Sequence, residues 1–415
     1  MNRADDRTGG VGGMRGARGS GPTGPAGLAT PVGPVGRGGQ GGPGGGGVNL
    51  LALRSHNAAL VLDLLRAAGD EGISRLELAE RTGLTPQAVS KITARLREDG
   101  LAAEAGRRAS TGGKPRTVLR LVPEAGHAVG VHLDRDEVRA VLVDLRGAVV
   151  GERRAALDLG AGAEAVLGAV RETVAGLPAA GTGGEGGASR PGPARPDPAL
   201  LGVGVALPGP LDHARGVLHR VTGFPEWDGF PLREALAERL GVPVVVDKDT
   251  NAAAVGLAAG GQGGSFAYLH LGTGLGAGLV IGGSVHRGAR TGAGEFGHQV
   301  IQLDGPPCTC GNRGCVEALC LGAVERGDLR EAARILGAGA ANLVGLLDID
   351  VVLLGGRTVA AAPETFTDGV GAVLEAWAGR TGQDAVPVRV AAGGGAVAAG
   401  AAELVLGPVF GRGGG

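Results

Sequence analysis

Residues 292–319 read GAGEFGHQVIQLDGPPCTCGNRGCVEAL, and this stretch decides how the rest of the chain is interpreted. It holds three of the four cysteines in 415 residues, Cys308, Cys310 and Cys315, and His298 lies ten positions before the first of them. Three thiolates and one imidazole are the ligand set of a closed tetrahedral zinc site, with no position left for a catalytic water. The sequence therefore predicts a structural zinc ion here. Cysteines buried for packing, beside an unrelated histidine, are the alternative.

Two carboxylates flank the predicted metal loop. Glu295 lies three residues before His298, and Glu317 lies two residues after Cys315. A metal that fixes the loop also fixes the neighbouring side chains, so both carboxylates can accept hydrogen bonds from a polyhydroxyl ligand. The two ring nitrogens of a histidine are distinct, so His298 can bind zinc through one and present the other outward.

These residues carry a resemblance to a known family. The pattern ExGH starting at Glu295, followed by CxCGxxGCxE starting at Cys308, resembles the signature of the ROK family. That family comprises bacterial sugar kinases and the transcriptional repressors related to them. The resemblance implies an actin-like (ribonuclease H-like) α/β fold, with two similar lobes around a cleft. Strands that alternate with helical stretches after residue 128 favour the same α/β class.

Residues 50–122 have the pattern of a winged helix-turn-helix. Apolar residues recur at helical spacing between Ala58 and Ala68, which predicts an amphipathic helix. Ser74 and Glu77 have the spacing of a capping box at the start of a short second helix. Thr85, followed by a proline, is a typical N-cap for a third helix. A glycine-rich basic segment follows and resembles the wing that many ROK repressors carry at this position.

Positive charge concentrates in the second half of this region. Residues 81–120 contain nine basic and three acidic side chains, whereas residues 50–80 contain three basic and five acidic ones. We expect the wing to neutralise DNA phosphates and the third helix to reach base edges in the major groove. The predicted DNA-binding residues are Thr85, Gln87, Ser90, Lys91, Arg95, Arg107, Arg108, Lys114 and Arg116. A helical docking module with a solvated basic face is the alternative.

The nucleotide side of the family pattern is altered. In the kinase branch, a DxGxT-like motif after a strand brings glycine N–H groups and a threonine hydroxyl to the phosphates. The equivalent stretch here reads GVHLDRDE, in which His132 replaces the aspartate. Asp134 and Arg135 replace the glycines, and Asp136 replaces the threonine. These acids repel a triphosphate, so no catalytic residue and no kinase activity are expected, although the glycine-rich loop at 272–276 is retained.

The sugar side is closer to the family pattern. In the family, an Asn-Asp pair before a helix positions the sugar, and the aspartate acts as general base. This chain has Lys248 followed by Asp249, and we expect the lysine to keep that carboxylate ionised. The resemblance implies that the sugar is bound by Asp249, Asn251, Glu295, His298 and Glu317. Alternatively, these acids only brace the zinc loop, and Lys248 blocks a sugar hydroxyl.

Composition limits the remaining classes of protein. The net charge is −1, so any DNA-binding surface must be local. No apolar run reaches the ~18 residues that span a bilayer, and the N-terminus lacks a signal peptide pattern. Four clustered cysteines fit a reducing compartment. We expect a cytoplasmic protein without membrane partners, a disordered Gly/Pro-rich tail at 1–48 and a mobile loop at 179–198.

The expected function is that of a sugar-responsive repressor. A winged helix-turn-helix at 50–122 precedes a ROK domain at 126–410 that senses its effector without being an enzyme. The expected partners are operator DNA, a small sugar or sugar phosphate, and further copies of the chain in a homodimer or homotetramer. Two rivals stay open: an ATP-dependent hexose kinase, and a constitutive DNA-binding regulator with a vestigial sugar pocket. The segment 320–348 is also shorter than is usual in the family.

Overall fold

The structure is a computed structural model. It describes residues 56–110, 113–178, 199–219, 225–391 and 395–412, without the side chains of 107–115. The tail predicted at 1–48 and the loop predicted at 179–198 lie outside the described residues. Within the described parts, no helix is both long and apolar enough to cross a bilayer.

The N-terminal module has the helices and the hairpin that the sequence predicts. Its elements are α1 (His56–Ala68), β1 (Ile73–Ser74), α2 (Arg75–Thr82), α3 (Pro86–Glu98), β2 (Ala102–Ser110) and β3 (Gly113–Leu121). The capping box is confirmed, because the Ser74 hydroxyl accepts from the Glu77 N–H while the Glu77 carboxylate accepts from the Ser74 N–H. Thr85 caps α3 by accepting from the Ala88 N–H. The three strands pair in the order β1-β3-β2.

The first lobe is built on a five-stranded sheet. Its elements are β4 (Gly126–Leu133), β5 (Glu137–Asp144), β6 (Val149–Ala156), α4 (Ala163–Ala175), β7 (Ala199–Leu207), the short hairpin β8 (Leu211–Asp212) and β9 (Val217–Leu218), α5 (Leu232–Leu240) and β10 (Val244–Lys248). The strand order is β10-β7-β4-β5-β6, in which the first three strands are parallel. Helices α4 and α5 close an apolar core on one face of this sheet.

The second lobe is also built on a five-stranded sheet. Its elements are α6 (Asp249–Ala259), β11 (Phe266–Leu271), β12 (Leu275–Ile281), β13 (Ser284–Val285), α7 (Val316–Glu325), α8 (Leu329–Leu347), β14 (Val351–Gly355), α9 (Arg357–Ala361), α10 (Pro363–Thr381), β15 (Val388–Val390) and α11 (Ala396–Leu406). The order is β13-β12-β11-β14-β15. Two similar lobes, as the family resemblance implies, are therefore present.

Helices α6 and α11 join the two lobes. Helix α6 packs on the second sheet, α11 packs on the first, and the two helices pack against each other. The crossing is close, because a Cβ atom at Gly400 would lie 1.9 Å from the carbonyl oxygen of Ala252. A larger residue at Gly400 would push the helices apart, so the spacing of the lobes depends on this contact.

The N-terminal module shares its apolar core with the first lobe. Residues of α1 and α3 pack in one cluster with residues of α11 and with Phe410 beyond it. Arg66 of α1 forms an ion pair with Glu403 of α11, and both side chains are 8% exposed. The Arg66 guanidinium also lies 4.7 Å above the ring centre of Phe410, and Arg412 pairs with Asp63 at 2.6 Å. The module is thus docked on α11.

We expect Glu403→Ala to lower the free energy of unfolding by about 3 kcal/mol, because it leaves the Arg66 charge buried without its partner. The measurement is urea denaturation followed by circular dichroism. Glu331→Ala is the control, since Glu331 pairs with an Arg334 side chain that is 65% exposed, and should cost no more than ~0.5 kcal/mol. Equal losses in both variants would contradict a structural role for the Arg66–Glu403 pair.

Candidate ligand cleft and metal centre

The cleft lies where the carboxyl ends of β4, β10 and β11 meet. It contains a cavity of about 90 Å³, and four of the five predicted sugar ligands line it: Asp249, Glu295, His298 and Glu317. Asp249 is the first residue of α6, directly after β10, so the strand end and the helix start together place its carboxylate at the cavity. The structure thus brings together residues that are up to 68 positions apart in sequence.

Asn251 is the exception among the predicted sugar ligands. It is fully buried and does not line the cavity. Its side-chain amide donates to the Asp247 carboxylate at 2.9 Å, and the same carboxylate accepts from Arg287 at 2.8 Å. Successive helical residues are rotated by ~100°, so a residue two positions after Asp249 faces the opposite side of α6. In this structure Asn251 therefore holds the Asp247 side chain behind the cleft and does not face a ligand.

Lys248 crosses the cleft and pairs with Glu295. Its ammonium group lies 2.8 Å from a Glu295 carboxylate oxygen and 2.8 Å from the carbonyl oxygen of Ala293. The Lys248 side chain is only 4% exposed. The sequence led us to expect that Lys248 would act on Asp249, whereas its ion-pair partner is a residue 47 positions away. Because Lys248 belongs to the first lobe and the Glu295 segment packs with the second, this pair also holds the lobes together.

Glu317 connects the cleft to the glycine-rich loop at 272–276. One of its carboxylate oxygens accepts from the Leu275 N–H at 2.9 Å. Glu317 lies in the first turn of α7, which begins immediately after Cys315. The same short segment therefore supplies one candidate metal ligand and one cavity-lining carboxylate.

The four predicted metal ligands form one cluster. The candidate ligand atoms of His298, Cys308, Cys310 and Cys315 all lie within 4.8 Å of one another. The His298 Nδ1 to Cys308 Sγ and the Cys310 Sγ to Cys315 Sγ distances are each 3.7 Å. Sulfur atoms about 2.3 Å from a tetrahedral zinc ion lie ~3.8 Å apart, and a disulfide would need ~2.05 Å. The donor set and spacing fit a metal ion.

The backbone of this loop requires glycine at one position. Gly314 has φ +66°, and a Cβ atom there would lie 1.6 Å from the carbonyl oxygen of Gln302. The close approach allows the Ile301 N–H to donate to the Gly314 carbonyl, which holds the two arms of the loop together. Cys315 is thereby brought into the cluster. His298 belongs to the cluster and also lines the cleft cavity, so metal binding and the cleft share a side chain.

Contacts between the lobes span the end of the cleft at which the family pattern places the nucleotide phosphates. Asp134 accepts from the Thr273 hydroxyl at 2.8 Å. Arg357, the first residue of α9, donates to both carboxylate oxygens of Asp136 at 2.9 and 3.0 Å and lies 3.4 Å from Asp134. We call this set the interlobe clasp: Asp134 and Asp136 from the first lobe, Thr273 and Arg357 from the second. The two acids stand out in the sequence pattern, whereas nothing in the pattern points to Arg357.

The clasp favours the ionised form of Asp134. Burial would raise the pKa of Asp134, but hydrogen bonds from the Arg135 N–H and the Thr273 hydroxyl, with the charge of Arg357, outweigh it and lower the pKa. The Thr273 hydroxyl of the glycine-rich loop is already used in this contact. A phosphate group entering here would meet negative carboxylates and would have to displace Arg357.

Two histidines lie beneath the clasp. Burial lowers the pKa of His132 to about 4, so its imidazole is neutral near pH 7. Its ring centre lies 6.4 Å from that of His270, in an edge-on arrangement. His270 Nδ1 is 2.9 Å from the Tyr268 hydroxyl. A neutral, half-buried imidazole therefore lies where the kinase pattern has an aspartate.

The exposed face of α3 carries the predicted DNA-binding residues of that helix. Gln87, Ser90, Lys91 and Arg95 are exposed, whereas Val89 and Leu96 are buried on the opposite side. The Thr85 hydroxyl caps the helix, so that oxygen already has a partner in the protein. On the wing, Arg116 is exposed, and the side chains of Arg107, Arg108 and Lys114 lie outside the description.

Comparison with known proteins agrees with this architecture. The sequence profile of the ROK family matches residues 194–327, and that of a winged helix-turn-helix DNA-binding domain matches residues 60–102. The DNA-binding transcriptional dual regulator NagC of Escherichia coli (strain K12) is 31% identical over 284 residues, which are 66% of this chain and 64% of that protein. The chain thus matches just under two thirds of that regulator's length.

Solved structures show the same fold. A ROK hexokinase from Thermus thermophilus is 30% identical, with a TM-score of 0.53, covering 66% of this chain and 96% of that one. A ROK family transcriptional regulator, described as a homologue of the E. coli MLC protein, has a TM-score of 0.62 and covers 86% of this chain and 98% of that one, at 20% identity. The chain therefore belongs to the ROK family and carries a winged helix-turn-helix on its N-terminal side.

Proposed function

We propose that this protein is a sugar-responsive DNA-binding regulator, a repressor of carbohydrate uptake or metabolism genes, whose ROK domain senses the effector without kinase activity. The combination of two features supports this proposal most strongly. The chain has a capped helix with an exposed polar and basic face, while the interlobe clasp places two carboxylates and an arginine across the end of the cleft at which the kinase pattern has its phosphate loop. The similarity to NagC, a DNA-binding transcriptional dual regulator, supports the same class of function.

The DNA-binding role rests on α3. A recognition helix needs its first turns free to enter the major groove, with polar side chains that reach base edges. Gln87, Ser90 and Lys91 meet this requirement, because they lie on the exposed side of the first two turns. Arg116 on the wing is exposed, and we propose that it neutralises a backbone phosphate.

The effector role rests on the sugar end of the cleft. Small-molecule sites usually have volumes of ~300–1,000 Å³, whereas this cavity holds about 90 Å³. A sugar therefore enters only if the lobes separate and the Lys248–Glu295 pair opens. Asp249, Glu295 and Glu317 then provide acceptors for its hydroxyl groups. Binding is thus linked to a change in the arrangement of the lobes.

Helices α6 and α11 connect that change to the DNA-binding module. Asp249 begins α6, α6 crosses α11, and Glu403 of α11 holds Arg66 of α1. We propose that two copies place their α3 helices about one helical turn of DNA apart, and that effector binding alters this spacing. The effector must bind the two arrangements unequally, and couplings of this kind amount to ~1–3 kcal/mol.

The metal is proposed to be a structural zinc ion held by His298, Cys308, Cys310 and Cys315. Three thiolates and an imidazole close a tetrahedral site, and the ion then stabilises the loop that presents Glu295 and Glu317. The ion itself takes no part in chemistry.

We expect Cys310→Ser to reduce zinc from about one ion per chain to near zero and to lower the melting temperature, because one of four ligands is lost. Metal content is measured by mass spectrometry on the purified protein. Cys320→Ala is the matched control: Cys320 is fully buried away from the cluster and its thiol donates to the Ala332 carbonyl. Unchanged zinc in Cys310→Ser would refute the ligand assignment.

Footprinting on DNA upstream of the protein's own gene tests the regulatory role. We expect a protected site that is weakened roughly tenfold or more by joint replacement of Ser90 and Lys91 with alanine, since base contacts contribute ~1–3 kcal/mol each. Arg380→Ala, an exposed arginine on α10, should leave protection unchanged.

A sugar panel completes that experiment. One sugar should release the footprint and raise the melting temperature, because a ligand that binds the folded state stabilises it. A footprint that persists with every sugar, without any thermal shift, would favour the constitutive regulator, in which Lys248 permanently occupies the pocket.

A hexose kinase is the second candidate function, and the position of Asp249 in the cleft together with the retained loop at 272–276 favours it. We expect ADP release with ATP and a panel of hexoses to equal that of an Asp249→Ala control, because the clasp excludes the phosphates. Sugar-dependent turnover clearly above that control would establish the kinase instead.

A further inference from the structure

A second, larger cavity lies at the rear of the molecule. It holds about 510 Å³ and is lined by the C-terminal end of α6 and the residues that follow it, from Gly256 to Gln262. The cleft cavity is lined by the first residues of the same helix, Asp249 and Thr250. The two cavities therefore lie at opposite ends of α6. We refer to the larger one as the rear cavity.

Three parts of the chain meet at the rear cavity. The DNA-binding module contributes Arg66 of α1, the first lobe contributes Arg146 in the turn between β5 and β6, and the second lobe contributes Arg389 of β15. Helix α11 contributes Glu403. A ligand in this cavity would touch both lobes and the helix that carries the DNA-binding module.

The charged lining is predominantly positive. Three arginines and one glutamate give a net charge of +2 (three minus one). Glu403 is used by Arg66, and the carboxylate that pairs with Arg146 belongs to Asp70, which is 82% exposed. The Nε of Arg146 is buried and has no hydrogen-bond partner among the described residues. Arg389 is exposed and has no ion-pair partner in the same described set.

The remaining walls are apolar or small. They comprise Leu257, Leu353, Val390, Ala391, Ala396 and Ala399 together with several glycines. The volume lies within the ~300–1,000 Å³ typical of small-molecule sites, and a few charged groups over apolar walls are the usual composition of such sites. The rear cavity thus fits a small organic molecule that carries a negatively charged group.

We propose that the rear cavity binds a small organic anion, a carboxylate or a phosphate monoester, held by Arg146 and Arg389. Guanidinium groups bind both anions through paired, charge-assisted hydrogen bonds. The Arg146 guanidinium, whose ion pair is with the exposed Asp70, supplies one contact, and the unpaired charge of Arg389 supplies a second contact from the opposite lobe. This site is separate from the sugar cleft and requires no sugar.

Such an anion links the two lobes at the rear, next to the docking point of α1. A ligand that joins Arg146 to Arg389 favours one spacing of the lobes, so its binding and the binding of an effector in the cleft affect each other reciprocally. The rear cavity is then a second ligand-binding site through which the same protein can be regulated.

Isothermal titration of the full chain with phenyl phosphate, benzoate and benzyl alcohol tests the site. The three probes share a ring and differ in charge, so the two anions distinguish phosphate from carboxylate and the alcohol reports on the apolar walls alone. We expect at least one anion to bind with a dissociation constant below about 10 mM and the alcohol to bind more weakly. The affinity should fall with added salt.

Variants assign the binding to the rear cavity. Arg389→Gln should weaken anion binding roughly tenfold, because one charge-assisted contact is lost. Arg380→Gln on α10 should leave anion binding unchanged. Asp249→Ala, which alters the sugar cleft, should leave anion binding unchanged. The proposal is overturned if neither anion binds, if the alcohol binds as tightly, or if Arg389→Gln and Arg380→Gln have equal effects.

Discussion

The close crossing of α6 and α11 is the contact on which the rest of the structure depends. Helix α11 is pressed against the first sheet as tightly as against α6, because a Cβ atom at Gly204 of β7 would lie 1.8 Å from the carbonyl oxygen of Ala401. With no room to slide, α11 transmits displacements of one lobe to the other. The cleft, the rear cavity and the docking point of α1 all lie along these two helices.

The cleft is occupied by the protein's own charges. The Lys248–Glu295 pair lies at the sugar end, and the interlobe clasp lies at the nucleotide end. The two differ in burial, since the Lys248 side chain is 4% exposed and that of Arg357 is 50% exposed. Solvent screens the exposed Arg357, so its net stabilisation is small. In the other pair Lys248 is buried and only Glu295, 44% exposed, reaches solvent, so that pair is the stronger barrier to lobe opening. A ligand at the sugar end must compensate for the opening of that pair.

Much of the fold and part of the site follow from local patterns in the sequence. The capping box at Ser74 and Glu77, the N-cap at Thr85 and the candidate metal-ligand cluster depend on residues close in sequence. The structure confirms the two caps and brings the four candidate ligands together, whereas zinc binding stays a prediction. Asn251 was placed in the site by the family pattern, although helical phase turns it away from Asp249. Arg357 contacts Asp136 across 221 positions, and no local period or spacing encodes such a contact.

The docking of α1 on α11 has a consequence for protein engineering. The interface includes Phe410 and Arg412, which lie 344 and 349 residues after Arg66 and Asp63, the α1 residues that they contact. The DNA-binding module is thus not structurally independent of the ROK domain. A chimeric biosensor could be made by grafting a foreign winged helix-turn-helix onto this chain. Its interface with the ROK domain would be poorly packed unless α11 and the turn after it are replaced together with the module.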